Sequence, residues 1–136
     1  IEMDDQDLIS ILGNLIDNAF DSILSAPEYG GNIVSVYGYI EDDKYYLSVS
    51  DNGPMIPKEV MDRIFEKGFS TKKEQKGEHG FGLYIIRRLI EKNGGKITVS
   101  SYEEETEFLI ECKRKVEYGE IGTEDYKFDT AKPSEI

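Results

Sequence analysis

The sequence predicts an α+β fold, a two-layer sandwich with helices packed on one face of a mixed sheet. Three observations carry this expectation. Apolar residues recur at steps of three and four in Leu8–Leu12–Leu15–Ile16–Ala19–Ile23 and again in Leu83–Ile86–Leu89–Ile90, the spacing of helices with one inward face. Alternating apolar and polar residues mark two pairs of short strands, each joined by a polar turn. The order is helix, hairpin, helix, loop, helix, hairpin, which segregates helices from antiparallel strands. At 136 residues the chain is long enough for one domain with one core.

The elements follow in order. The first helix is expected from about Asp5 to Ser25, with Asp4 and Asp5 suited to the positive end of its dipole. Pro27 and Gly30-Gly31 close it off. Ile33 to Ile40 reads as a strand with Val34, Val36 and Ile40 on one face, and Glu41-Asp42-Asp43-Lys44 as a turn. Tyr45 to Ser50 reads as its partner, Tyr45, Leu47 and Val49 alternating with Tyr46, Ser48 and Ser50. Asp51-Asn52-Gly53-Pro54 then breaks the strand, and Pro57 opens a short helix carrying Val60, Met61 and Ile64. The segment from Phe65 to Gly82 lacks periodicity and holds Gly68, Gly77, Gly80 and Gly82 with Lys67, Lys72, Lys73 and Lys76. So long an unpatterned connection inside a compact domain is either functional or disordered. A helix is expected from about Phe81 to Lys92, stopped by Asn93-Gly94-Gly95. Lys96 to Ser101 and Thr106 to Lys113 read as a second hairpin around Glu103-Glu104-Glu105. From Glu117 the composition turns polar and acidic. Residues 1–116 are therefore expected to fold as the domain, and 117–136 to form an acidic tail, flexible or docked through Tyr118, Tyr126 and Phe128.

Bulk properties exclude several partners. A net charge of −12 opposes nucleic acid and anionic membrane, which need a basic surface. No apolar run approaches the length of a membrane span. The single cysteine, Cys112, alternates with Phe108 and Ile110 and reads as a buried thiol in a reducing compartment. The chain opens inside a helix lead-in, which is expected of a piece of a longer protein.

Four local features suit a nucleotide. Asn14, Asn18 and Asp21 share a second face of the first helix, where Asn is a mediocre helix former and calls for a reason. A solvated face is the plain explanation. The functional one is neutral oxygen ligands for a hard cation such as Mg²⁺ held partly by substrate phosphates. Asp51, at a strand end, offers a carboxylate to the exocyclic amine of adenine, and Gly53 lets backbone approach the base. The third feature is Phe65-Glu66-Lys67-Gly68-Phe69-Ser70-Thr71-Lys72, whose lysines neutralise phosphate charge. Gly80 and Gly82, just before a helix, turn free N–H groups toward phosphate. A dinucleotide fold is excluded because no strand–glycine–helix unit opens the chain, and a P-loop because no Gly-Lys-Ser/Thr follows the glycines.

In this order the four features resemble the catalytic and ATP-binding domain of bacterial sensor histidine kinases. That domain has the Bergerat fold of the ATPase superfamily shared with gyrase and the ninety-kilodalton heat-shock chaperone. Asn14-Leu15-Ile16-Asp17-Asn18-Ala19 resembles the family's N box, Asp51-Asn52-Gly53-Pro54 its first glycine box, Phe65 to Lys72 its F box and His79-Gly80-Phe81-Gly82-Leu83 its second glycine box. Asn18-Ala19-Phe20-Asp21 and Gly82-Leu83-Tyr84 look most similar to the subgroup that senses citrate and C4-dicarboxylates. The resemblance implies Mg²⁺ on Asn18, phosphate support and catalysis by Asn14 and Asn18, and adenine recognition by Asp51 with Gly53 and Ile56 lining the base pocket. It implies a lid over ATP at about residues 65–81. Phe65, Ser70, Thr71, Lys72, Gly80, Phe81, Gly82 and Leu83 complete the nucleotide contacts. The implied activity transfers the γ-phosphoryl group of ATP to a histidine on a separate dimerisation domain. The resemblance also implies a response regulator downstream and a cytoplasmic domain of a membrane-anchored sensor that does not itself touch the membrane.

Three positions depart from the family pattern. Met55 replaces the second glycine of the first box, Glu78 the first glycine of the second box, and Asp21 stands where many relatives carry lysine. A carboxylate there is unfavourable beside phosphate without a metal. His79, the only histidine, lies in the lid segment and reads as a loop or phosphate-contacting group rather than the acceptor. Two alternatives follow: a serine kinase of anti-sigma-factor type on the same fold, or a degenerate interaction module whose site Met55 and Glu78 have closed.

Overall fold

The computed structural model describes residues 3–69 and 82–113. Most of the expected lid and the whole tail from 117 to 136 lie outside the described residues.

Helix α1 spans Asp5–Leu24, and the side chain of Asp4 caps it by accepting from the Asp7 N–H at 3.3 Å. Ile11, Leu15 and Ala19 form its buried stripe. A 3₁₀ turn, Pro27–Tyr29, follows, and Gly30 closes it with φ of 84°, a left-handed conformation that glycine adopts without strain. Strands β1 (Val34–Glu41) and β2 (Lys44–Asp51) form a hairpin in register from Val34 opposite Asp51 to Glu41 opposite Lys44. Its two-residue turn, Asp42-Asp43, has φ of 52° and 67°, as a type I′ connection requires. Helix α2 is the short segment Lys58–Met61, with Pro57 at its N-cap. Helix α3 is Gly82–Lys92, buried through Ile86 and Ile90. Strands β3 (Lys96–Ser101) and β4 (Thr106–Lys113) form the second hairpin.

The sheet order is β1-β2-β4-β3. Every pairing among the described residues is antiparallel, where the sequence suggests a mixed sheet. Strands β2 and β3 run in the same direction, joined by a crossover through α2 and α3. The second hairpin, however, inserts β4 between them, so no parallel pair forms. Both long helices pack on one face of the sheet. Their buried stripes meet Val49, Phe108, Ile110 and Cys112 in one core. The opposite face is polar and aromatic, with Tyr37, Tyr39 and Tyr46 stacked in series and Lys44 paired to Glu111 at 2.9 Å.

One hub fixes the start of α1 against the end of α3. Asn93 donates through Nδ2 to Asp7 Oδ2 at 3.0 Å and to the Leu89 carbonyl at 2.8 Å, and its Oδ1 accepts from the Asp4 N–H at 3.2 Å. Lys92 Nζ lies 3.4 Å from Asp7 Oδ2. The Asn93 hydrogen bond, with help from Lys92, holds the Asp7 carboxyl below the usual carboxylate range. A carboxyl lowered by folding stabilises above its unfolded pKa, and that contribution is lost as pH falls through the folded value. Acidification is therefore expected to lower the melting temperature of the parent chain more than that of Asp7→Asn, whose side chain does not titrate. Parallel acid-dependent melts would refute the hub's role.

Candidate functional site

A cavity of about 470 Å³ opens where the polar flank of α1 faces the start of α3 across the turn that follows β2. The α1 wall is one continuous helical stripe: Asn14, Asp17, Asn18, Asp21, Ser22 and Ser25. Opposite stand Pro54, Met55, Ile56 and Pro57, then Val60, Ile64 and Phe69. Gly82, Leu83 and Ile86 of α3 complete it. One wall is thus polar and oxygen-rich while the other is apolar, the arrangement that takes a flat ring at one end and charged groups at the other.

Of the residues singled out from the sequence, Asn14, Asn18, Ile56, Gly82 and Leu83 line the cavity. Asn14 Nδ2 donates to the Ser10 carbonyl one turn earlier at 2.8 Å, a bond that does not use its Oδ1 acceptor. Asp51 and Gly53 are not on the wall. Ser22 is on it, and its hydroxyl donates to Asp51 Oδ1 at 3.4 Å. The same oxygen accepts from the Gly53 N–H at 2.8 Å. Asp51 is buried at the end of β2, and burial pushes its carboxyl above the ordinary value, partly offset by these two donors. Gly53 has no room for a side chain, since a Cβ would stand 2.7 Å from Ser22 Oγ and 3.1 Å from Asp51 Oδ1. Ile56 is held in place by its N–H, which donates to Ser101 Oγ at 2.8 Å, and Ser101 Oγ is in turn hydrogen-bonded to Thr106 Oγ1 at 2.6 Å.

Phe65 sits elsewhere. It packs against the core, edge-on to Phe108 at 6.4 Å, with the Arg87 guanidinium 5.6 Å from its ring centre. Phe69, four residues on, takes the place on the wall and carries Arg63 over its ring at 4.6 Å. Ser70, Thr71, Lys72, Gly80 and Phe81 lie outside the described residues, as do Glu78 and His79. Asp17, Ser22, Ser25, Val60 and Phe69 are wall residues that sequence reasoning did not assign. The signal for Ser22 and Ser25 was present, because they extend the Asn14–Asn18–Asp21 face by one turn.

The donors on the α1 wall fit Mg²⁺. The amide oxygens of Asn14 and Asn18 and the carboxylates of Asp17 and Asp21 are all hard oxygen ligands. Among the described residues no group of three or more His, Cys, Asp or Glu side chains is disposed to hold a metal. The fit is therefore to an ion that takes few protein ligands and fills its shell with phosphate oxygens and water.

Residues 3–116 match the family model described as histidine kinase-, DNA gyrase B-, and HSP90-like ATPase, and the chain belongs to that family. Within it the relatives are sensor kinases. Over 97 residues the chain is 40% identical to the sensor histidine kinase DpiB of Escherichia coli (strain K12), covering 71% of this chain and 17% of that protein. Over 95 residues it is 40% identical to a probable C4-dicarboxylate sensor kinase of Halalkalibacterium halodurans, covering 70% and 17%. The chain thus spans about a sixth of the length of these relatives. The nucleotide-free catalytic domain of the histidine kinase ThkA superposes with a TM-score of 0.69 at 30% identity, over 84% of this chain and 70% of that one. The fold, the kinase class and the likeness to sensor kinases, a probable C4-dicarboxylate sensor among them, are as the sequence motifs imply. The chain is a catalytic domain of the histidine kinase type.

Proposed function

We propose that this domain binds Mg-ATP in the cavity between α1 and α3 and transfers the γ-phosphoryl group to a histidine on a separate dimerisation domain. The observation that carries the reading is the α1 stripe Asn14–Asn18–Ser22 on an open cavity, with buried Asp51 hydrogen-bonded directly behind it. Adenine lies toward Asp51, whose carboxylate accepts from the exocyclic amine, and against the apolar wall of Ile56 and Leu83. The phosphates lie toward Asn14 and Asn18. Contacts from Ser70, Thr71, Lys72, Gly80 and Phe81, which the family resemblance implies, belong to residues outside the described ones. When bound, Mg²⁺ neutralises phosphate charge and orients the γ-phosphoryl group.

The chemistry asks little of this chain beyond positioning and charge neutralisation. A neutral imidazole is already a competent nucleophile. Its free nitrogen attacks the γ-phosphorus, the bond to the β–γ bridging oxygen breaks, and ADP leaves with that electron pair. No general base is needed. Asn14 stands where ATP-hydrolysing members of the superfamily place a glutamate. An amide cannot take a proton from water, so free hydrolysis is slow. The degenerate-module alternative has Met55 and Glu78 close the site, and Glu78 lies outside the described residues. Met55 is on the wall and half exposed, and the cavity remains about 470 Å³.

A need for ATP favours a cytoplasmic domain, and its sensor-kinase relatives support a membrane-anchored sensor with a response regulator downstream. Likeness to the C4-dicarboxylate sensor kinase supports a small carboxylate as the signal. The test is transfer from [γ-³²P]ATP. Mixed with the histidine-bearing dimerisation domain of the cognate kinase, the domain is expected to yield an acid-labile, alkali-stable phosphoprotein. Acid-stable label on serine would instead identify the anti-sigma-factor type of kinase.

A further inference from the structure

The β1–β2 ladder ends at the pair Val34–Asp51, yet the chain stays tied to β1 for one more step in an unusual way. The next antiparallel pair would be Ile33 opposite Asn52, exchanging two backbone hydrogen bonds. Only one forms: the Asn52 N–H donates to the Ile33 carbonyl at 3.2 Å. The other acceptor should be the Asn52 carbonyl. Its place is taken by the Asn52 side chain, whose Oδ1 accepts from the Ile33 N–H at 2.7 Å and from the Asn32 N–H at 2.8 Å. Asn52 Nδ2 then donates to Asn32 Oδ1 at 3.1 Å. The side chain stands in for its own main-chain carbonyl, which is free to turn toward Gly31. There the packing is close: a Cβ on Gly31 would lie 2.7 Å from the Asn52 carbonyl oxygen and 2.9 Å from Gly53 Cα.

We propose that Asn52 is a positioning residue for base recognition. It lets the chain leave β2 immediately after Asp51 while remaining clamped to the Gly31–Ile33 connection, and so fixes the turn that aims the Asp51 carboxyl. The consequence reaches the cavity through Gly53, whose N–H bonds Asp51 Oδ1 and whose Cα packs under Ser22. It reaches further to Pro54, Met55 and Ile56 on the wall. Neither Asn52 nor residues 31–33 are among the described residues lining the cavity, so the effect passes through others. The inference rests on the nucleotide reading given above.

The test compares Mg-ADP with Mg-IDP, which lacks the exocyclic amine, by calorimetry on the whole chain, together with thermal melts. Asn52→Ala is expected to weaken Mg-ADP about tenfold at a temperature where it is fully folded, and to bring the two nucleotides closer in affinity. Asn52→Asp keeps the acceptor for both backbone N–H groups and should recover most of the affinity, losing only the Nδ2 donation. Gly31→Ala displaces the same turn by steric contact and should reproduce the loss with the Asn52 side chain intact. A lower melting temperature with unchanged ADP affinity and unchanged preference over IDP would make Asn52 merely structural and overturn the proposal. If Asn52→Ala does not fold, Gly31→Ala decides by the same two readouts. A parent chain that binds neither nucleotide would refute the nucleotide reading itself and this inference with it. A parent chain that binds ADP, beside variants that bind it equally, would refute only the role of Asn52.

Discussion

Asp51→Asn is expected to leave the fold intact and abolish specific nucleotide binding. The substitution keeps an oxygen where the Gly53 N–H and Ser22 hydroxyl need one. It replaces the other carboxylate oxygen with an NH₂ group, so the adenine amine meets a donor instead of an acceptor. Loss of a charge-assisted hydrogen bond and the creation of two opposed donors should weaken Mg-ATP by about a hundredfold or more. Stability should move the other way. Burial raises the Asp51 carboxyl above its unfolded pKa. The folded state then binds more protons than the unfolded one between the two values, and stability falls as pH rises through that window. The ionised group is a net cost at neutral pH, and the neutral amide removes it. The expected result is an equal or higher melting temperature at pH 7 beside lost affinity. A variant that binds ATP as the parent does would remove Asp51 from the base site.

Asn18→Ala is expected to strike the other end of the ligand. Asn18 lies on the α1 wall with Asn14, Asp17 and Asp21, a set of hard oxygen donors. Removing its amide takes away the ligand assigned to Mg²⁺ while leaving the adenine end untouched. Affinity for ADP without Mg²⁺ should change little, whereas the gain on adding Mg²⁺ should largely vanish. Phosphoryl transfer should drop by about a hundredfold or more, because charge on the transferred group is no longer neutralised. Titrations with and without chelator separate this from general damage. Equal losses in both conditions would show that Asn18 supports the pocket rather than the metal.

How far the sequence could be read depended on the physical signal at each place. The apolar stripe of α1 and the alternation in β4 are strong and local, so Asp5–Leu24 and Thr106–Lys113 lie within a residue of expectation. The strand order was not legible. Inserting β4 between β2 and β3 depends on contacts between residues about sixty positions apart, such as Val49 opposite Phe108, which no local pattern encodes. The polar face of α1 is legible as Asn14, Asn18 and Asp21, whereas Ser22 and Ser25, which extend it, carry a weaker signal because serine on a helix face is commonly solvated. The exchange of Phe65 for Phe69 on the wall lay in a segment without periodicity, where sequence gives no face. The pairing of Asn52 with Asn32 and Ile33 is not legible in the turn motif, since it is made across the hairpin by residues some twenty positions away.

The most direct test of the account is a calorimetric titration of Mg-ATP into the domain, with Mg-GTP as the comparison. The account predicts saturable one-to-one binding of ATP and much weaker binding of GTP, which presents a carbonyl where adenine presents the amine that Asp51 accepts. No binding of ATP at millimolar concentration, or equal binding of both nucleotides, would contradict it.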